Sequence, residues 1–163
     1  EEAFTLPFGK ARICAEGADV TLLGVSNMVM ECLRARELLA EEDISAEVID
    51  PVSLVPLDME TIAASVAKTG RILVVDNAWT NCGFSAEILA RLVESGAADG
   101  AKLRRMGFAP TTCPTTPWLE EHYYPNPATV AGSAHEMVKP GSDWMPDPER
   151  ARLTYQMQFR GPF

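Results

Sequence analysis

The chain has only two histidines, His122 and His135, and four cysteines, Cys14, Cys32, Cys82 and Cys113, with no C-x-x-C pair among them. Thiols this sparse and irregularly spaced build neither a disulfide framework nor a structural zinc site; they fit reduced thiols in a cytoplasm. Two histidines beside ordinary carboxylates do not make a metal centre. No glycine-rich phosphate loop is present and no G-x-G-x-x-G follows a strand, so the common nucleotide-binding fingerprints are missing. No apolar run approaches the ~20 residues that span a bilayer, and no signal-peptide pattern stands at the start. Basic residues are short too: 14 Lys and Arg against 23 Asp and Glu leave a net charge of −9. That balance argues against a nucleic-acid binder, which needs a basic face, and permits a basic protein partner. Solubility alone accounts for such a charge in many proteins.

What is there is an α/β pattern. At 163 residues and 47% apolar, the chain is long enough for one domain with a proper core. Glu1 in place of Met implies a processed chain or a piece of a longer one. Asp19–Val25 is an apolar run ending at a polar turn, Ser26-Asn27. A helix at 3.6-residue spacing then covers 28–40, and Ala46–Asp50 returns as a strand. Ala11–Ala15 reads as a short edge strand, and Val52–Leu57 as an extended connection. Asp58 is placed to cap a helix through Lys68, and Gly70 to stop it. Arg71–Asp76 is a buried strand, 77–83 a loop, Phe84–Ser95 a helix and Lys102–Met106 a strand. The segment 108–118 holds too much proline for regular structure, His122 falls in a loop, and Ala128–Val138 is the last helix. Strands alternating with helices make a layered fold with a mostly parallel sheet. In residues 140–163, prolines and glycines break up regular structure. The same stretch carries Trp144, Met145, Leu153, Tyr155, Met157, Phe159 and Phe163, so it is expected to pack on this domain or on a partner subunit.

The candidate sites are few. Gly24-Val-Ser-Asn-Met resembles a nucleophile elbow, yet Met28 stands where the second glycine is needed. Ser26 or Asn27 is instead expected to cap the helix, whose start could also hold an anion. Asp76, Asn77, Asn81 and Glu87 lie around the carboxyl end of a strand, where open α/β sheets bind ligands. Cys82 has no histidine near it in sequence and reads as a small packed residue rather than a nucleophile.

Several motifs in order resemble one family. They are Phe8-Gly-Lys-Ala-Arg, Glu16-Gly-Ala-Asp-Val-Thr, Glu47-Val-Ile-Asp-Pro-Val-Ser-Leu-Val-Pro-Leu-Asp, Ser65-Val-Ala-Lys-Thr-Gly-Arg and Gly83-Phe-Ser-Ala-Glu-Ile. Gly107-Phe-Ala-Pro-Thr-Thr-Cys-Pro-Thr-Thr-Pro and Leu119-Glu-Glu-His-Tyr-Tyr-Pro-Asn continue the series. Together, over roughly 7–138, they resemble the C-terminal, transketolase-type domain of the β subunit of thiamine-diphosphate-dependent 2-oxo acid dehydrogenases, a family that includes pyruvate, branched-chain 2-oxo acid and acetoin dehydrogenases.

The resemblance implies a three-layer α/β/α sandwich on a mostly parallel five-stranded sheet with one antiparallel edge strand. It implies a linker remnant at 1–10, the domain at 11–139 and an extension at 140–163. The family's full enzyme decarboxylates a 2-oxo acid, or cleaves acetoin, and passes the acyl group to a lipoyl arm. Thiamine diphosphate and Mg2+ belong to that full enzyme, and by this resemblance the domain itself holds no catalytic, cofactor-binding or metal-binding residue. Its implied partners are the α subunit, a second β subunit and the basic subunit-binding domain of the acyltransferase. Asp99, just before the strand Lys102–Met106, matches an Asp that takes part in that docking. Two other readings stand beside this one: a free-standing α/β domain that binds a small ligand or anion, and the corresponding domain of a transketolase or deoxyxylulose-phosphate synthase.

Overall fold

The computed structural model describes residues 5–158, with the backbone alone at 117–118 and 155–158. Five strands form one sheet: β1 (Arg12–Ala15), β2 (Val20–Gly24), β3 (Ala46–Asp50), β4 (Arg71–Trp79) and β5 (Lys102–Phe108). They lie in the order β1-β3-β2-β4-β5. β3–β2, β2–β4 and β4–β5 pair in parallel, and β1 runs antiparallel to β3 at one edge. The helices are α1 (Met28–Ala40), α2 (Met59–Thr69), α3 (Phe84–Glu94), α4 (Pro117–Tyr123), α5 (Pro127–Val138) and α6 (Pro148–Gln158).

Both faces of the sheet are covered, which is why the central strands are apolar without alternation. Leu22, Val48, Leu73 and Val75 point to one face and meet Cys32, Leu38 and Leu39 of α1 and Val130 and Ala134 of α5. Leu23, Ile49, Ile72 and Val74 point to the other and meet Ile62 and Val66 of α2 and Ile88 and Leu92 of α3. Each Leu or Ile so buried contributes about 1.5–3 kcal/mol. The expected three-layer sandwich with one antiparallel edge strand is therefore observed.

Local signals account for the ends of α2. The Asp58 carboxylate accepts from the Thr61 N–H at 3.2 Å, and Gly70 closes the helix in the left-handed region at φ 66°. α5 begins with a reciprocal pair in which Asn126 Oδ1 accepts from the Thr129 N–H and Thr129 Oγ1 accepts from the Asn126 N–H.

Four sequence expectations need correction. The segment 77–83 is not wholly loop, because β4 continues to Trp79, which pairs with Phe108 after a register shift. β5 likewise runs on to Phe108. His122 lies in α4 rather than in a loop, since Pro117 stands at the helix start, where a missing N–H costs nothing. Ala128–Val138 is not the last helix: α6 follows, with Pro148 at its start and the Asp147 carboxylate accepting from the Arg150 N–H at 2.9 Å. Prolines counted as breakers thus begin helices at both places. Residues of the described stretch 140–154 contact the domain. Trp144 stacks on His135 with ring centroids 4.5 Å apart, and Arg150 bonds Glu41 of the turn after α1 at 2.5 Å. Residues 1–4 of the expected linker and 159–163 of the extension, including Phe159 and Phe163, lie outside the described residues.

Candidate functional site

The carboxyl edge of the sheet brings together fewer polar groups than the sequence suggests. Asp76 is buried on β4, and its Oδ2 accepts from the Ser85 N–H at 2.7 Å. It therefore serves the first turn of α3, the place an external anion would take. Gly83 permits this approach, because a Cβ there would overlap Asp76 Oδ2 and the Trp79 carbonyl. Glu87 points away and pairs with Arg91 one turn on, at 2.7 Å. Asn77 is exposed. Of the four predicted polar residues, Asn81 lines a groove, a cavity of about 390 Å3 shared with Trp79, Pro110, Thr111 and Thr112. The Trp79 indole N–H donates to the Thr111 carbonyl at 3.1 Å and fixes one wall.

Neither Ser26 nor Asn27 caps α1 through its side chain, contrary to expectation. Asn27 already has helical backbone angles and makes no side-chain cap bond. Capping needs an extended residue there to swing the side chain over the free amides. Ser26 sits in the left-handed region at φ 60°. The N–H groups of Met28, Val29 and Met30 donate instead to the carbonyls of Val25, Ser26 and Asn27. That leaves this helix start poorly suited to an anion.

The histidines and thiols are dispersed. His135 is buried beneath Trp144, with Nε2 3.9 Å from Glu42. His122 is exposed on α4 and Cys82 is exposed in its loop at φ 62°. Among the described residues no group of three His, Cys, Asp or Glu could hold a metal ion. An aromatic cluster of Phe108, Tyr123 and Tyr124 closes the end of β5. Cys113 Sγ lies 3.1 Å from the Tyr124 hydroxyl, and this hydrogen bond, then burial, pushes the phenol up to about 12.

One charged group was missed at the level of sequence. Glu47, in the middle of β3, is fully buried, and its Oε2 meets Lys68 Nζ of α2. Lys68 also reaches Glu16 at 2.9 Å, just past β1. The bonds to Glu47 and then Glu16 hold the ammonium pKa above its ordinary value. Beside them Thr21 Oγ1 bonds Ser65 and Thr69 at 2.7 and 2.8 Å, a buried hydroxyl seam under α2. The only signal for this was a charged residue inside an apolar strand, Ala46-Glu-Val-Ile.

Asp99 occupies the turn between α3 and β5. Gly96 and Gly100 flank it at φ 73° and 75°, values that glycine adopts freely. Its carboxylate is exposed and makes no ion pair among the described residues.

Residues 9–130 match the family model described as transketolase, C-terminal domain. Among curated proteins, the chain is similar to the acetoin:2,6-dichlorophenolindophenol oxidoreductase subunit beta of Cupriavidus necator. The two are 37% identical over 142 residues, which is 86% of this chain and 42% of that protein. It is similar to the mitochondrial pyruvate dehydrogenase E1 component subunit beta of Ascaris suum, at 41% identity over 139 residues, 83% of this chain and 37% of that one. The chain thus spans about two fifths of the length of these relatives. A solved split-gene transketolase, described as an inactive beta4 tetramer, shares the fold with a TM-score of 0.74 at 24% identity. That match covers 85% of this chain and 46% of the other.

Proposed function

The chain belongs to the transketolase C-terminal domain family, and we propose that it is the assembly domain of the β subunit of a thiamine-diphosphate-dependent 2-oxo acid dehydrogenase. In this reading the domain joins the α subunit and a second β subunit. It also docks the basic subunit-binding domain of the acyltransferase, while decarboxylation and acyl transfer to lipoyl groups take place elsewhere in the full enzyme.

The observation that carries the reading is the exposed, unpaired Asp99 carboxylate, held in a turn between two left-handed glycines on an acidic chain that is similar to beta subunits. An unpaired charge on a rigid turn is available to a cationic partner with little ordering cost.

The residues present do not fit thiamine diphosphate and Mg2+. Asp76 takes the start of α3, the first amides of α1 are spent on carbonyls of their own turn, and no metal-ligating group forms among the described residues. No catalytic step is therefore assigned to this domain. Calorimetric titration of the chain with thiamine diphosphate and Mg2+ is expected to give no binding heat. Saturable binding in the micromolar range would contradict the proposal.

A further inference from the structure

The edge strand β5 carries three exposed cations, Lys102, Arg104 and Arg105, within four positions of an otherwise acidic chain. All three are held by neutral acceptors. Lys102 Nζ donates to the Met137 carbonyl at 3.3 Å, Arg104 to the Ser133 carbonyl at 3.1 Å and Arg105 to the Thr80 carbonyl at 2.9 Å. Among the described residues none forms an ion pair with a carboxylate. Arg104 meets α5 in mid-helix at Ser133, and the C-terminal end of α5, which receives Lys102 at Met137, offers only about half an elementary charge. Three full charges therefore stay largely uncancelled.

No strand among the described residues pairs with the outer side of β5. An edge strand presents a row of unpaired N–H and C=O groups along that side. Cations flank it on both faces, since Lys102 and Arg104 reach toward α5 while Arg105 alone reaches toward the loop after β4. At its far end lies the open groove beside half-exposed Trp79, lined by Asn81 and Pro110–Thr112.

We propose that β5 is a docking edge for an acidic, extended segment of a partner protein. The segment adds a strand to the sheet, places carboxylates on Arg104 and Arg105 and lays an apolar side chain against Trp79. Main-chain pairing supplies the alignment and the cations supply the selection. Opposite charge within the ~8 Å screening length at physiological salt favours an acidic segment, and a basic one is repelled. This edge is distinct from the Asp99 turn, which suits a basic partner.

The test is fluorescence anisotropy of the full chain with a labelled peptide of alternating Glu and Val, about ten residues long to match a strand. Two controls accompany it: an alternating Lys and Val peptide, and a Glu–Val peptide interrupted by proline. The account expects the Glu–Val peptide to bind and the other two to bind at least about tenfold more weakly. Arg105→Gln, which leaves the contacts to α5 in place, is expected to weaken the Glu–Val peptide about tenfold, and Asp99→Lys is not. No binding, equal binding of the Lys–Val or proline-interrupted peptide, or indifference to Arg105→Gln overturns it. So does self-association of the chain that Arg105→Gln abolishes while the peptide stays unbound.

Discussion

β1 and β5 close the same sheet on opposite sides, and they are protected in different ways. β1 is four residues long, antiparallel, and broken in register between Ile13 and Ala15. It is tied inward at several points. The Ala11 N–H donates to the buried Asp58 carboxylate at 3.0 Å, Gly17 lies against the backbone of Ala46 and Glu47, and Lys68 joins Glu16 to Glu47. β5 is seven residues long, parallel, and flanked by cations that bond only neutral oxygens among the described residues. A short, irregular, well-tied edge resists any added strand. A long edge guarded by charge of one sign resists some strands and admits others. The two edges show how one sheet can be sealed on one side and selective on the other.

Gly17→Ala should break the sealed edge most severely. Its Cβ would overlap the backbone at Ala46 and Glu47, which cannot yield as a flexible side chain can. Overpacking against backbone of this kind costs about 3 kcal/mol, read as a lowered thermal midpoint. Lys68→Met comes next. It leaves the buried Glu47 charge without its cation, and an unsatisfied buried group costs about 1–3 kcal/mol. The double variant Glu47→Leu with Lys68→Met, which replaces both polar partners by apolar ones, should recover most of that loss, and chemical denaturation of all three proteins checks it.

Asp58→Ala should cost about 1 kcal/mol through the lost cap of α2. Burial raises the Asp58 pKa, but the bonds from the Ala11 N–H, the Thr61 hydroxyl and the Thr61 N–H, with the Lys10 ammonium nearby, outweigh it and hold the carboxyl below its ordinary value. A depressed carboxyl stabilises the fold fully above its unfolded value near 4 and loses that contribution as pH falls through the folded value. Melts of the wild type and Asp58→Ala should therefore converge at acid pH and separate at neutral pH. The smallest effect belongs to the selective edge. Arg105→Gln removes one exposed contact to a loop carbonyl and should change stability by no more than about 0.5 kcal/mol. A larger drop would mean that β5 is tied in as β1 is.

The sheet and most of its helices were legible because each carries its own local signal. The apolar strands before Gly24 and Asp50, the Asp58 cap and the Gly70 stop all lie where the chain's periodicity and turn chemistry put them. What was illegible depended on distant partners. Trp79 is strand because Phe108 pairs with it, and Asp76 caps a helix nine positions on that has glycine at its own cap. Glu47 is buried because Lys68 comes over it from another element. Proline misled twice, at Pro117 and Pro148, because composition does not reveal that a proline stands at the first turn of a helix rather than inside one. The resemblance alone places Asp99 before the strand Lys102–Met106; its turn between Gly96 and Gly100, and its lack of an ion pair among the described residues, are properties of the fold.

The role in assembly is tested most directly at Asp99. Calorimetric titration of a basic acyltransferase subunit-binding domain into the chain at low salt should show saturable binding, and Asp99→Lys should weaken it by about 2 kcal/mol with an unchanged thermal midpoint. An affinity that Asp99→Lys leaves untouched, or no binding by the wild type, would contradict the account.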